Sequence, residues 1–166
     1  MNIIMERRSI RRYDGRSVDN EVLDRILDAA DAAPCARGLR SWHFLMIDDR
    51  ALLDRVPDFH PYSRMILEAP LAILVCADTD VEPREGYWMQ NCSAATENIL
   101  LASTAEGLGS VWLGIHPREE RVAGMRKLIE VPDHIIPFSL VVIGHPLETK
   151  NPHGKHEPTR VHRNRW

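Results

Sequence analysis

Tyr87-Trp88-Met89-Gln90-Asn91-Cys92-Ser93-Ala94-Ala95-Thr96-Glu97-Asn98-Ile99-Leu100-Leu101-Ala102-Ser103-Thr104-Ala105-Glu106-Gly107-Leu108-Gly109-Ser110-Val111-Trp112-Leu113-Gly114 is the stretch on which the fold turns. Trp88, Cys92, Ala95, Ile99 and Ala102 recur at steps of four, three, four and three, which is one face of a helix. Tyr87, Asn91, Ala94, Asn98, Leu101 and Ala105 form a neighbouring stripe that is also apolar or small. A helix over about Glu85 to Glu106 with so little charge is therefore buried on more than one side. At roughly 30 Å it forms a central spine. Its small residues permit close approach of another helix or of a second copy of the chain. Gly107 and Gly109 stop it, and Ser110 to Ile115 reads as a strand.

Helices and strands interleave on either side of this spine. Asp19 and Asn20 can cap a helix running to about Ala33, with Val22, Leu23, Ile26, Leu27, Ala30 and Ala33 at helical spacing and Pro34 as its stop. Trp42 to Ile47 reads as a strand, Asp48-Asp49 opens a short helix to about Val56, and a second short helix is expected over Tyr62 to Glu68. Leu71 to Ala77 is a continuous apolar run, the pattern of a strand buried on both faces. Arg118 to Ile129 reads as an amphipathic helix and Pro137 to Gly144 as the last strand. This alternation gives an α+β or α/β sandwich.

With 166 residues, the chain is expected to form one domain over 1–166 that buries a sizeable core without staples. Its net charge is −3, and 27% of residues are charged. The three cysteines, Cys35, Cys76 and Cys92, form no Cys-x-x-Cys pair, so neither a disulfide framework nor a zinc site is written here. The eight histidines show no metal-ligand spacing, so no metal is expected. Met1 to Met5 is too short for the apolar core of a signal peptide, and Ala69 to Ala77 is far below the roughly 20 residues of a bilayer span. A soluble cytoplasmic protein with no membrane partner is the expectation.

Charge is local. In Arg7-Arg8-Ser9-Ile10-Arg11-Arg12-Tyr13, four guanidiniums and a hydroxyl fall within six positions. Guanidiniums match phosphate bidentately, and serine adds a neutral donor. A second cluster, Arg160-Val161-His162-Arg163-Asn164-Arg165-Trp166, ends a stretch with no apolar period, His145 to Trp166, that contains three prolines. This terminal tryptophan among arginines suggests a tail that docks on something. A basic arm on nucleic acid is the competing reading, and the overall negative charge opposes it. Gly-x-Ser-x-Gly, Gly-x-Gly-x-x-Gly and the P-loop are all absent. Two Arg clusters remain, together with small-residue loops such as Pro34-Cys35-Ala36-Arg37-Gly38 and Leu113-Gly114-Ile115, whose backbone N–H groups could approach a flat ring. A redox flavin needs such a set: a phosphate clamp, donors along the ring edge and positive charge near its pyrimidine end.

On these blocks the chain resembles the FMN-dependent nitroreductase family over nearly its whole length. Arg7 to Tyr13 resembles the family's opening Arg-Arg-Ser-x-Arg-x-Phe. Ala32-Ala33-Pro34-Cys35-Ala36-Arg37-Gly38-Leu39-Arg40-Ser41-Trp42-His43-Phe44 resembles its Ala-Pro-Ser-x-x-Asn-x-Gln-Pro-Trp-x-Phe. Asn91 to Ala102, running into Gly107 to Gly114, resembles its central helix and following strand. The chain departs at Cys35, Gly38, Arg40 and Ser41, where Ser, Asn, Gln and Pro are usual. It also lacks room for a long lid between Val56 and Pro70.

The resemblance implies an α+β three-layer sandwich, a central and mainly antiparallel sheet flanked by helices, in an intertwined homodimer with FMN at the interface. Arg7, Ser9 and one or more of Arg163 and Arg165, with Arg160 as the substitute for either, are expected to hold the phosphate and ribityl, with Arg8 and Arg11 on the phosphate or the N1/O2 edge. Pro34, Cys35, Ala36, Arg37 and Gly38 are expected along the isoalloxazine of the other subunit, and Leu113 and Gly114 near N5 and O4. Residues 145–166 become an extension docking on cofactor or partner. The implied activity is ping-pong hydride transfer from NADH or NADPH to a small electron-poor acceptor, a nitroaromatic or a quinone, with the flavin rather than a side chain carrying the chemistry. Relatives that consume reduced flavin or remove halogen share the fold, and an FMN-binding module without turnover is the alternative outside enzymology. Cys35 is read as a small loop residue, Trp112 as core, His60 and Tyr62 as surface loop with the substrate mouth as the alternative, and Glu97 and Asn98 as structural hydrogen-bonding groups.

Overall fold

A computed structural model describes residues 3–83, 86–152, 154 and 156–166. The chain order is α1 (Ile3–Glu6), α2 (Asn20–Asp31), β1 (Trp42–Ile47), α3 (Arg50–Leu53), β2 (Leu71–Asp78), α4 (Trp88–Ala105), β3 (Gly109–Gly114), α5 (Glu119–Ile129) and β4 (Ile135–Gly144). The strands form one sheet in the order β1-β2-β4-β3, with every neighbouring pair antiparallel. The expected α+β class and antiparallel sheet are present.

Every residue of β2 and β4 is buried, because both strands are central and both faces of the sheet are covered. Side chains alternate along β2. Leu71, Ile73, Val75 and Ala77 face the layer of α2 and α4. Ala72, Leu74 and Cys76 face α3, the turns of 56–67 and α5. In β4 this alternation shifts near Phe138, where the register with β2 slips between Val75 and Cys76. Such a slip returns Val141 and Ile143 to the α4 face. It also accommodates Pro137 inside a central strand, since a proline tolerates that position beside a bulge.

The spine reading holds for α4, which lies between α2 and the sheet. Trp88, Cys92, Ala95 and Ile99 pack into the core, and Asn98 donates from Nδ2 to the Ala29 carbonyl of α2 at 2.8 Å. Its observed start is Trp88; the expected start at Glu85 lies outside the described residues. Gly107, at φ 74, closes the helix in the left-handed conformation that glycine adopts without strain. Arg25 pairs with Glu106 through two nitrogens at 2.9 and 2.7 Å, tying α2 to the end of α4. Two expected elements are shorter than the sequence suggests. Tyr62–Glu68 is only a 3₁₀ turn over Arg64–Leu67, and α3 stops at Leu53. No helix among the described residues is long and apolar enough to cross a membrane.

Candidate functional site

The N-terminal arm lies beside the edge strand β3. Ser9 pairs in parallel with Ser110, and the Ile10 N–H donates to the Ser110 carbonyl at 3.0 Å. The first part of the C-terminal extension runs antiparallel along the same arm. Tyr13 pairs with Pro146, and the Leu147 N–H donates to the Arg12 carbonyl at 2.9 Å. Lys150 Nζ donates to the Ser9 carbonyl at 2.6 Å, and Arg8 Nη1 donates to the Asn151 carbonyl. Glu148 accepts the Arg11 N–H at 2.5 Å. This bond, together with Lys150, holds its carboxyl below the usual range against a smaller opposing effect of burial. Arg7 lies 3.5 Å from Glu97 of α4, the structural partner expected for that carboxylate.

The arm leads into a cleft of about 530 Å³ at the C-terminal end of β3. Arg11, His60, Tyr62, Arg64, Met65, Trp112, Leu113, Gly114 and Arg121 line it, with Pro61. Arg11, Leu113 and Gly114 therefore come together, as their sequence blocks suggest. At Gly114 a Cβ would meet no atom within 4 Å, so the backbone faces open space there. Its carbonyl accepts from Arg121 Nη1 at 2.8 Å, with His60 Nε2 at 3.1 Å, both from side chains that also line the cleft.

His60 corrects a sequence expectation. It is only 2% exposed rather than part of a surface loop, because Phe59 beside it packs against Gly124 of α5 and draws the segment inward. Burial, and then the charge of Arg121, lower its pKa, so the ring is neutral near pH 7. A carbonyl only accepts, so the proton sits on Nε2 and Nδ1 is the bare nitrogen. That Nδ1, the Ser110 hydroxyl and Arg121 Nε are buried without a partner among the described residues. Tyr62, by contrast, is exposed, with the Arg121 guanidinium carbon 5.8 Å from its ring centroid. Trp112 is half-buried, lining the cleft while packing edge-on against Phe138.

The loop Pro34–Gly38 precedes β1, which is the opposite edge of the sheet from β3. One chain alone does not bring this loop to Gly114. Arg37 and Arg40 have positive φ, 57° and 46°, a conformation rare for residues with a Cβ. The loop is held from behind by a buried network. Asn91 accepts the Ala36 N–H at 3.0 Å and donates to Glu82 at 2.8 Å. Glu82, fully buried, also accepts from the Ser41 hydroxyl and the Tyr87 N–H, each at 2.8 Å, and Arg37 lies 3.8 Å from it. The expectation that this loop offers free N–H groups is corrected in part: Ala36 N–H is taken by Asn91 and Gly38 N–H by the Cys35 carbonyl.

Arg163 and Arg165 are exposed, near a His162–Trp166 stack with ring centroids 4.3 Å apart. Buried Cys76 and Cys92 are poor nucleophiles, since burial pushes the Cys76 thiol up to about 12 and Cys92 upward as well. Ligand spacing in the sequence missed one grouping: Asp78, Asp80 and His134 each place an oxygen or ring nitrogen within 4.8 Å of the others. Only sheet pairing joins the end of β2 to the residue before β4. His43 also reaches Asp78 at 3.1 Å; burial works against the charged form of Asp78, but this bond and two backbone N–H donors hold the carboxyl low.

Comparison with known proteins agrees with this architecture. A family model described as the Nitroreductase family matches residues 4–63 and 58–145. A protein of Methanothermobacter thermautotrophicus, provisionally named an NADH dehydrogenase/NAD(P)H nitroreductase, is 45% identical over all of this chain and 87% of its own length. The solved FMN-dependent nitroreductase of Clostridium difficile R20291 superposes with a TM-score of 0.91 at 30% identity, covering 99% of this chain and 98% of that one. A Desulfovibrio desulfuricans nitroreductase, provisionally named and solved in complex with FMN, gives a TM-score of 0.83 at 28% identity, covering 99% and 95%.

Proposed function

The chain belongs to the nitroreductase family, and on that premise we propose that it is an FMN-dependent NAD(P)H oxidoreductase acting on electron-poor small molecules such as nitroaromatics and quinones. The cleft over Gly114 carries this reading. Its backbone stands open to a flat ring, while guanidiniums line the cleft and no carboxylate does so among the described residues. These features fit FMN, which is planar at one end and anionic at the other. When bound, FMN would supply the redox chemistry between NADH or NADPH and an electron-poor acceptor.

The protein's part is orientation and electrostatics. Arg7, Arg8 and Ser9 would hold the phosphate and ribityl, with Arg163 or Arg165 closing over them. Arg11 would face the N1/O2 edge, where its charge favours an electron-rich ring. Leu113 and Gly114 would lie along the ring, held in place because the Gly114 carbonyl is bonded by Arg121 and His60. The loop Pro34, Cys35, Ala36, Arg37 and Gly38 would come from the second copy of a homodimer. Its place before the far edge strand supports that assignment.

Titration of FMN into the purified chain, followed by flavin fluorescence, tests the reading. Wild type is expected to bind, and Arg8→Ala and Arg11→Ala to bind about tenfold more weakly, as loss of one charge-assisted contact implies. Equal affinity in all three proteins would remove the assignment of the arm.

A further inference from the structure

The loop before β1 holds a strained backbone that its own packing does not explain. Arg37, Gly38 and Arg40 all have positive φ, at 57°, 68° and 46°. Glycine adopts that form freely, but a residue with a Cβ does so at a cost. Burial does not offset the cost, since the Arg37 and Arg40 side chains remain 65% and 63% exposed. Such backbone persists only where surrounding bonds over-determine it, and it concentrates at ligand clamps.

The group that over-determines this loop is Glu82. Its side chain is fully buried, and a Cβ on Gly86 would lie 2.6 Å from its Cγ, so it has little room to move. Oε2 accepts from the Ser41 hydroxyl and from Asn91 Nδ2, and Oε1 accepts from the Tyr87 N–H, each at 2.8 Å. Arg37 Nη2 stands 3.8 Å from Oε1. Asn91 turns its oxygen to the Ala36 N–H at 3.0 Å. Directly or through Asn91, one carboxylate therefore grips the loop at Ala36, Arg37 and Ser41, on both sides of the left-handed turn. Arg40 is tied separately, to Asp31 at 3.0 Å. The loop adjoins the edge strand β1, and the cleft over Gly114 lies at the other edge, β3, so the loop does not reach the cleft of its own chain.

We propose that Glu82 is a positioning residue of the FMN site. Acting through Asn91 and Arg37, it holds loop 34–38 of one copy in the shape that lies against the flavin of the other. This rests on the flavoprotein reading above and adds to it a residue that itself touches no cofactor.

The test is FMN binding by mixed dimers, followed by flavin fluorescence. Glu82→Gln leaves one oxygen for three donors and removes the partner of Arg37, so its own dimer is expected to bind FMN about tenfold more weakly than wild type. Paired with a differently tagged Arg8→Ala/Arg11→Ala chain, it gives two unlike sites. One combines both defects. The other has the intact arm of the Glu82→Gln chain and the intact loop of its partner. Half the sites of this mixed dimer are therefore expected to bind with wild-type affinity. If Glu82 acted on the cleft of its own chain, or only kept its subunit folded, every site would carry a defect and no such fraction would appear. That result overturns the proposal, and so does a chain that sediments as a monomer when loaded with FMN. Should Glu82→Gln fail to fold, Arg37→Gly takes its place in the same pairing, since glycine suits the positive φ and the buried network stays intact. The same half-site pattern is expected there, with a Tm no lower than wild type, and its absence is equally decisive. A wild-type chain that binds no FMN refutes the flavoprotein reading itself, whereas wild-type binding without the half-site pattern overturns only the role of Glu82.

Discussion

Arg121 donates from Nη1 to the Gly114 carbonyl oxygen at 2.8 Å, so a side chain in the first turn of α5 fixes the end of β3. His60 reaches the same oxygen at 3.1 Å. The backbone at this end of the cleft is thus braced by two donors. Arg121→Met keeps the aliphatic packing and removes one donor, leaving His60 in place. The expected loss is about 1–2 kcal/mol, read as a fall in Tm of roughly 2–8 °C for a domain of this size. An unchanged Tm would mean that His60 alone satisfies the carbonyl.

The neutral state of His60 has a pH consequence. Its folded pKa lies below the ordinary 6.5, and burial lowers His116 in the same direction. The unfolded chain therefore takes up protons that the native chain refuses. Stability is full above about pH 6.5 and declines as pH falls through the unfolded value towards the folded one. Urea midpoints measured across that window should drop with pH. His60→Gln, which keeps a donor for Gly114 and cannot titrate, should give a flatter profile. A midpoint independent of pH in the wild type would contradict the assignment of neutral histidines.

Gly124 is a packing position. A Cβ there would lie 2.6 Å from Phe59 Cδ2, inside contact distance. Gly124→Ala is expected to cost about 1–3 kcal/mol despite the better helix propensity of alanine. Because Phe59 adjoins His60, the same change should loosen the cleft and weaken FMN binding. Phe59→Ala, combined with Gly124→Ala, removes the overlap and is expected to recover part of the stability.

Glu82 holds the loop that the second copy would present. Glu82→Leu leaves the Ser41 hydroxyl, the Asn91 amide and the Tyr87 N–H without their acceptor in the interior. Each such loss costs about 1–3 kcal/mol, so a total near 3 kcal/mol or more is expected, or a fall in Tm of about 6 °C upwards. Retention of wild-type Tm would show that water reaches this network.

Much of the architecture is visible in the sequence because its strands are apolar runs and its long helix has two apolar stripes. Trp42–Ile47 is bounded as expected, and Leu71–Asp78 exceeds its reading by one residue. The start of β4 is less visible, since Pro137 reads as a strand's first residue. Only the slipped register with β2 lets Ile135 and Ile136 precede it. Among the site residues, Arg11, Leu113 and Gly114 are legible from their sequence blocks. His60 enters only as an alternative to a surface loop, and Arg64 and Arg121 are not legible. Nothing local marks His60 for burial; that follows from Phe59 meeting Gly124, which are 65 positions apart in the chain. Arg121 lies on a helix whose sequence predicts helicity and leaves open which side chain reaches back to β3. The Glu82 network escapes for the same reason, joining residues from a loop, a strand edge and a helix start.

The most direct test of the central claim is the visible spectrum of the FMN-loaded protein before and after anaerobic NADH or NADPH. The account predicts a bound flavin spectrum that bleaches on addition and returns when an electron-poor acceptor is supplied. A yellow protein that neither reductant bleaches would contradict it, and would make the chain a flavin-binding module instead.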